Sequence, residues 1–168
     1  MKTHITQISS PIILLLICLF SIIACKESHA MDNGDLDIKI NRDDIEYFDL
    51  KNQLYKVKFT NKGDVVIKFK LTDKEKQEIK NIYYESGLSK FKEKTEIKNL
   101  CNVPISITTI TIIENNKTKE IRLFNSCSKY GIFNIKGKKT DNFLESIYKI
   151  LYSKPEIKNA PKSNMMLM

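Results

Sequence analysis

Leu54-Tyr55-Lys56-Val57-Lys58-Phe59-Thr60 alternates apolar and polar residues. After the short connection Asn61-Lys62-Gly63-Asp64, Val65-Val66-Ile67-Lys68-Phe69-Lys70-Leu71 does much the same. A period of two marks half-buried strands, so the stretch predicts a hairpin with one apolar face and one lysine face. Thr72-Asp73-Lys74-Glu75 follows at once. A Thr with Glu three residues on is a capping box, and Asp73 suits the positive end of the helix dipole. Ile79, Ile82 and Tyr83 give the helix an apolar stripe, and Gly87 is placed to end it in the left-handed conformation.

The second half repeats this order. Ile105-Ser106-Ile107-Thr108-Thr109-Ile110-Thr111-Ile112-Ile113 is strongly β-forming. Its alternation changes phase at Thr108-Thr109, which predicts a bulge or a strand covered on both faces. Asn115-Asn116-Lys117 reads as a turn and Glu120–Phe124 as the return strand. A loop through Gly131 follows. Phe143, Leu144, Ile147, Ile150 and Leu151 then fall at helical spacing before Pro155 bars continuation. The expected fold is α+β, in the order ββα-ββα. It has a four-stranded antiparallel sheet, five-stranded if Ile45-Glu46-Tyr47-Phe48 adds a strand, with both helices on one face.

At the start of the chain, Lys2 precedes the apolar run Ile12–Ile23, which is shorter than the roughly 20 residues of a spanning helix. A charged head, a short apolar run and a small residue before the cut make a signal-peptide pattern. Ile22-Ile23-Ala24-Cys25 resembles the lipobox of bacterial lipoproteins, with Ile22 where Leu is commonest. The resemblance implies cleavage before Cys25, a diacylglyceryl group on its sulfur and further N-acylation with palmitate-type chains. Two or more chains anchor a protein stably, whereas one does not. The implied place is the bacterial cell envelope, on a membrane facing the periplasm or the cell surface. The alternatives are an ordinary secretory cut near Ala30, after Ser28-His29-Ala30, and an uncleaved anchor. On the lipoprotein reading, 1–24 is signal peptide, 25–37 lipidated Cys and flexible tether, 38–155 one domain, and 156–168 a disordered tail.

Four cysteines sort accordingly. Cys18 leaves with the signal, Cys25 takes lipid, and Cys101 and Cys127 remain as an even pair. In an oxidising compartment a disulfide is the default for such a pair. The two cysteines lie just outside the ends of the second hairpin, where a bridge across its open end fits. Two cysteines are too few for a usual zinc site, and no C-x-x-C spacing suggests redox chemistry.

The formal charge is +8, or +7 without residues 1–24, which carry Lys2 and no acid. The basic residues are nearly all Lys, scattered among acids, with only Arg42 and Arg122 suited to bidentate phosphate recognition. That pattern argues against a nucleic-acid partner and for a solvated surface. A lysine face lying on anionic lipid is the electrostatic alternative.

His4 and His29 are the only histidines, and both precede the domain. The core therefore lacks a Ser-His-Asp triad, a Cys-His pair and any His-based metal site. No P-loop, G-x-S-x-G or H-E-x-x-H occurs, and no cofactor is implied. Asp32-Asn33-Gly34-Asp35 resembles the start of a calcium loop but has Leu36 at the next ligand position. Asp43, Asp44 and Glu46, and Glu93 with Glu96, are the carboxylates that acid–base catalysis would use, yet both groups lie in polar, charged stretches. Tyr130 and Phe133, in the loop after Cys127, form a candidate recognition surface pinned by the proposed bridge. The plainer alternative has Phe133 and Ile135 covering the open end of the core. The expected function is thus a non-catalytic, membrane-anchored binding module with an unknown protein partner. A carboxylate enzyme and an anionic-surface binder are the alternatives.

Overall fold

The computed structural model describes residues 36–165 apart from Lys62 and Ser128. Seven strands are present: β1 (Leu36–Arg42), β2 (Glu46–Asp49), β3 (Leu54–Val57), β4 (Val65–Lys68), β5 (Lys94–Asn99), β6 (Ser106–Glu114) and β7 (Lys117–Asn125). The helices are α1 (Asp73–Ser86), α2 (Ile135–Tyr152) and the one-turn α3 (Pro155–Lys158), with a 3-10 turn at Leu88–Lys90. Cys25 and the signal-like segment lie outside the described residues.

The fold is α+β, but the sheet is larger than expected and mixed. Its order is β4-β3-β2-β1-β6-β7-β5. All pairs are antiparallel except β5 with β7. The expected four- or five-stranded antiparallel sheet is corrected at two places. Leu36, Ile38 and Ile40 alternate with polar neighbours, so β1 forms where a tether was expected and sits at the sheet centre. It pairs β2 on one side and β6 on the other. At the far edge, β5 adds to β7 in parallel, Thr95 beside Ile121 and Asn99 beside Asn125.

β6 carries no bulge. Its register runs unbroken from Ser106↔Asn125 to Glu114↔Lys117. Thr108, Ile110 and Ile112 occupy one face, while Ile107, Thr109, Thr111 and Ile113 occupy the other. The apparent change of phase comes from isoleucines at both ends of the open face. The β1–β2 and β6–β7 turns each place two residues at positive φ: Asp43 (55°) and Asp44 (54°), then Asn115 (49°) and Asn116 (62°). These are the residue types and angles that two-residue hairpins favour.

α1 starts and stops as its sequence predicts. The Glu75 amide donates to Thr72 Oγ1 and the Thr72 amide to Glu75 Oε2. Gly87 ends the helix at φ 75°. Ile79 and Tyr83 face the core, with Tyr83 fully buried. α2 buries Phe143, Leu144, Ile147, Ile150 and Leu151 against the same core. The sheet contributes Ile38, Ile40, Phe48, Ile110, Ile112 and Ile121. Each such side chain adds ~1.5–3 kcal/mol of hydrophobic stabilisation. The helices therefore cover one face of the sheet. The other carries Lys39, Tyr47, Lys56, Thr109, Thr111 and Arg122. There Lys56 pairs with Asp64, and Lys39 lies near Asp37 and Asp49, so the lysine face is interleaved with carboxylates.

The folded unit reaches beyond 38–155 at both ends. Past Pro155, Ile157 is buried. Ser163 Oγ donates to the Lys58 carbonyl, and the Thr60 amide donates to Asn164 Oδ1.

Candidate functional site

Cys101 and Cys127 form a disulfide. Its setting differs from a bridge over the second hairpin. Asn99 and Asn125 are register partners of the parallel pair β5 and β7, and each cysteine lies two residues further along its strand. The bridge therefore clamps the same ends of two neighbouring strands, just where the 100–105 and 126–134 loops leave the sheet.

Polar groups reinforce the clamp. The Ser126 amide donates to the Asn99 carbonyl. Ser126 Oγ accepts from the amides of Cys101 (2.8 Å) and Asn102 (3.1 Å). Asn99, itself buried, donates through Nδ2 to Asn125 Oδ1 at 2.9 Å and to the Lys129 carbonyl at 3.3 Å. Asn125 Oδ1 also accepts from the Cys127 amide. Asn134 ties the loop to both neighbours. Its Nδ2 donates to the Lys98 carbonyl, while its Oδ1 accepts from the Gly137 amide as the N-cap of α2. Two loops without regular structure are thus fixed by one covalent bond and a network of amide side chains. Within the first loop, the Val103–Pro104 peptide is cis.

Large apolar side chains project from this rigid end. Phe133 is 95% exposed, Val103 84%, Ile132 82%, Ile135 60% and Leu100 52%. Isolated exposed apolar residues are ordinary, but a cluster on adjoining loops marks an interaction surface. The expected lid is therefore not formed. Phe133 and Ile135 point outward, and Tyr130 is the loop residue that packs inward against the core. Burial, with Asp141 adding to it, pushes the Tyr130 phenol up to about 12. Its hydroxyl is buried without a hydrogen-bond partner among the described residues. Tyr130 supports the surface from beneath, and Phe133 is presented by it.

The candidate carboxylates are spread over separate structural tasks. Asp43 accepts from Ser106 Oγ and the Ile107 amide, fixing the β1–β2 turn to β6. Asp44 accepts from Asn41 Nδ2. Glu46 accepts from the hydroxyls of Tyr55 and Tyr152 and from Arg42. Glu96 faces Arg122 at 4.0 Å on the open sheet face. A recess at the other end of the sheet is lined by Glu93, Glu114, Tyr83 and Lys119. There Glu114 accepts from Tyr83 and Tyr84, and Lys119 donates to the carbonyls of Leu88 and Ser89. Burial lowers the Lys119 ammonium from its ordinary value. Among the described residues, no group of three or more His, Cys, Asp or Glu is gathered as a metal ion requires, and no helix is long and apolar enough to cross a membrane.

The two cysteines and the loop after Cys127 were visible in the sequence. Asn99, Leu100, Val103 and Ile132 were not, because a short apolar loop reads equally as core cover. No protein-family model matches this chain, and neither curated proteins nor solved structures give a match.

Proposed function

We propose that this chain is a membrane-anchored envelope lipoprotein whose domain is a non-catalytic binding module for a protein partner. Its binding surface is the apolar end carrying Val103, Ile132 and Phe133. The observation that carries the reading is the exposure of these three side chains on loops held by the Cys101–Cys127 bridge and its amide network. Rigid presentation lowers the entropy that binding must overcome, and aromatic side chains are common anchors of interfaces. The anchor itself rests on the lipobox-like Ile22-Ile23-Ala24-Cys25.

Two measurements test this function. Cys25→Ser is expected to release the protein from the membrane fraction, and unchanged sedimentation refutes the anchor. Cross-linked recovery from envelopes is expected to yield a discrete complex with the wild-type chain and to lose it with Phe133→Ser. Equal recovery with both chains refutes the surface.

A further inference from the structure

We infer that the partner is a protein presenting an apolar recess edged by carboxylates, and that it docks at the pole of the domain remote from the lipid anchor. This rests on the binding surface and lipid anchor proposed above. Three features of the fold lead to it.

The first is direction. β1 begins at Leu36, whose register partner is Glu114, at the Asn115–Asn116 end of β6. The apolar loops leave the sheet at the Ser106 end, beyond the Cys101–Cys127 bridge. The nine residues of β6 put about 26 Å between these ends at ~3.3 Å per residue, before the loops add their own reach. Eleven residue steps separate Cys25 from Leu36. A chain of that length spans about 17–20 Å as a coil and at most about 36–40 Å fully drawn out. Bringing Phe133 to the anchoring bilayer would demand nearly the full extension. The coil dimension leaves the apolar pole facing away from that membrane.

The second is shape. Exposures of 82–95% at Val103, Ile132 and Phe133 describe side chains standing out from the surface. Their complement is a recess.

The third is charge. Segments 100–105 and 126–135 contain no carboxylate. Lys98, Lys129 and Lys136 border them, and the first turn of α2 holds lysine without acid. Lys136 Nζ also stands 5.7 Å from the Phe91 ring, at the side of the same end. The nearest acidic turn, Asp43-Asp44, has Asp43 already bound to Ser106 and Ile107. A second copy of this chain would present the same lysines, so self-association is disfavoured. Carboxylates around the recess give the complementary field.

The test uses the full chain in cells, with a photo-reactive benzoylphenylalanine at Phe133 or, as the control at the opposite pole, at Lys117. Carbodiimide coupling in the same preparations joins lysine amines to carboxylates in direct contact. The expected result is one discrete protein adduct from position 133 and none from 117. Amide links should join Lys129 or Lys136 to Asp or Glu of that same protein. The triple variant Lys98→Glu, Lys129→Glu, Lys136→Glu should lose at least tenfold of the adduct, with Lys→Gln at the same sites intermediate and circular dichroism unchanged. A protein adduct from 133 that is indifferent to both charge variants overturns the acidic rim but leaves the binding surface standing. An adduct from 117 in place of 133 overturns the orientation. Adducts from neither position overturn the binding surface itself. Adducts from 133 to lipid alone, or domain binding to phosphatidylglycerol vesicles at the apolar pole, overturn the protein partner in favour of a bilayer.

Discussion

The ring of Tyr130 occupies the space that a side chain at position 137 would need. A Cβ on Gly137 would stand 2.5 Å from Tyr130 Cδ1 and Cε1, and 2.6 Å from Asn134 Oδ1. Glycine inside a helix ordinarily costs about 0.5–1 kcal/mol relative to alanine. Here it lets the 126–134 loop lie down on α2 and lets Asn134 cap that helix. Gly137→Ala is therefore expected to destabilise the domain by about 1–3 kcal/mol, the usual range for overpacking. The urea midpoint checks this, and a rise in midpoint contradicts it.

Removing the bridge with Cys101→Ser and Cys127→Ser is expected to lower stability by about 3–4 kcal/mol, the chain-entropy value for a loop of this size. Amide exchange should quicken first in segments 100–105 and 126–134, where the bridge adjoins irregular backbone. Unchanged denaturation and exchange contradict the clamp.

Glu75 predicts an acid response. The Lys154 ammonium, and then the Thr72 amide and hydroxyl, bind its ionised form and pull its pKa from an ordinary 4.5 to about 2. A carboxylate depressed on folding contributes stability in full above its unfolded pKa and loses it as pH falls toward the folded value. Stability is expected to decline between about pH 4.5 and pH 2. Glu75→Gln should be less stable at pH 7 and flatter across that window. An identical pH slope in the variant refutes this role.

How much could be read from the sequence differs from element to element, for physical reasons. α1 was legible because its signals are local: Thr72 and Glu75 bind each other, and Gly87 needs only its own φ. β1 carries a plain alternation, but the preceding Asp32-Asn33-Gly34-Asp35 reads as linker and hides it. β5 has one large apolar residue, Ile97, and little intrinsic drive to form. It is a strand because the free edge of β7 satisfies its backbone, a long-range cause that no window on the sequence contains. At the binding end the cysteines were legible by type. The outward turn of Phe133 was not, since it depends on Tyr130 having taken the inward place.

The pairing of β1 with β6 also governs how the chain reaches this structure. Ile40 meets Ile110 in register across seventy positions of chain, and no nearer segment can take that place at the sheet centre. The first four strands can assemble locally, yet they leave the central edge of β1 open until β6 arrives. High contact order of this kind slows folding. A polypeptide that must remain threadable through a translocon before it folds gains time from such late closure.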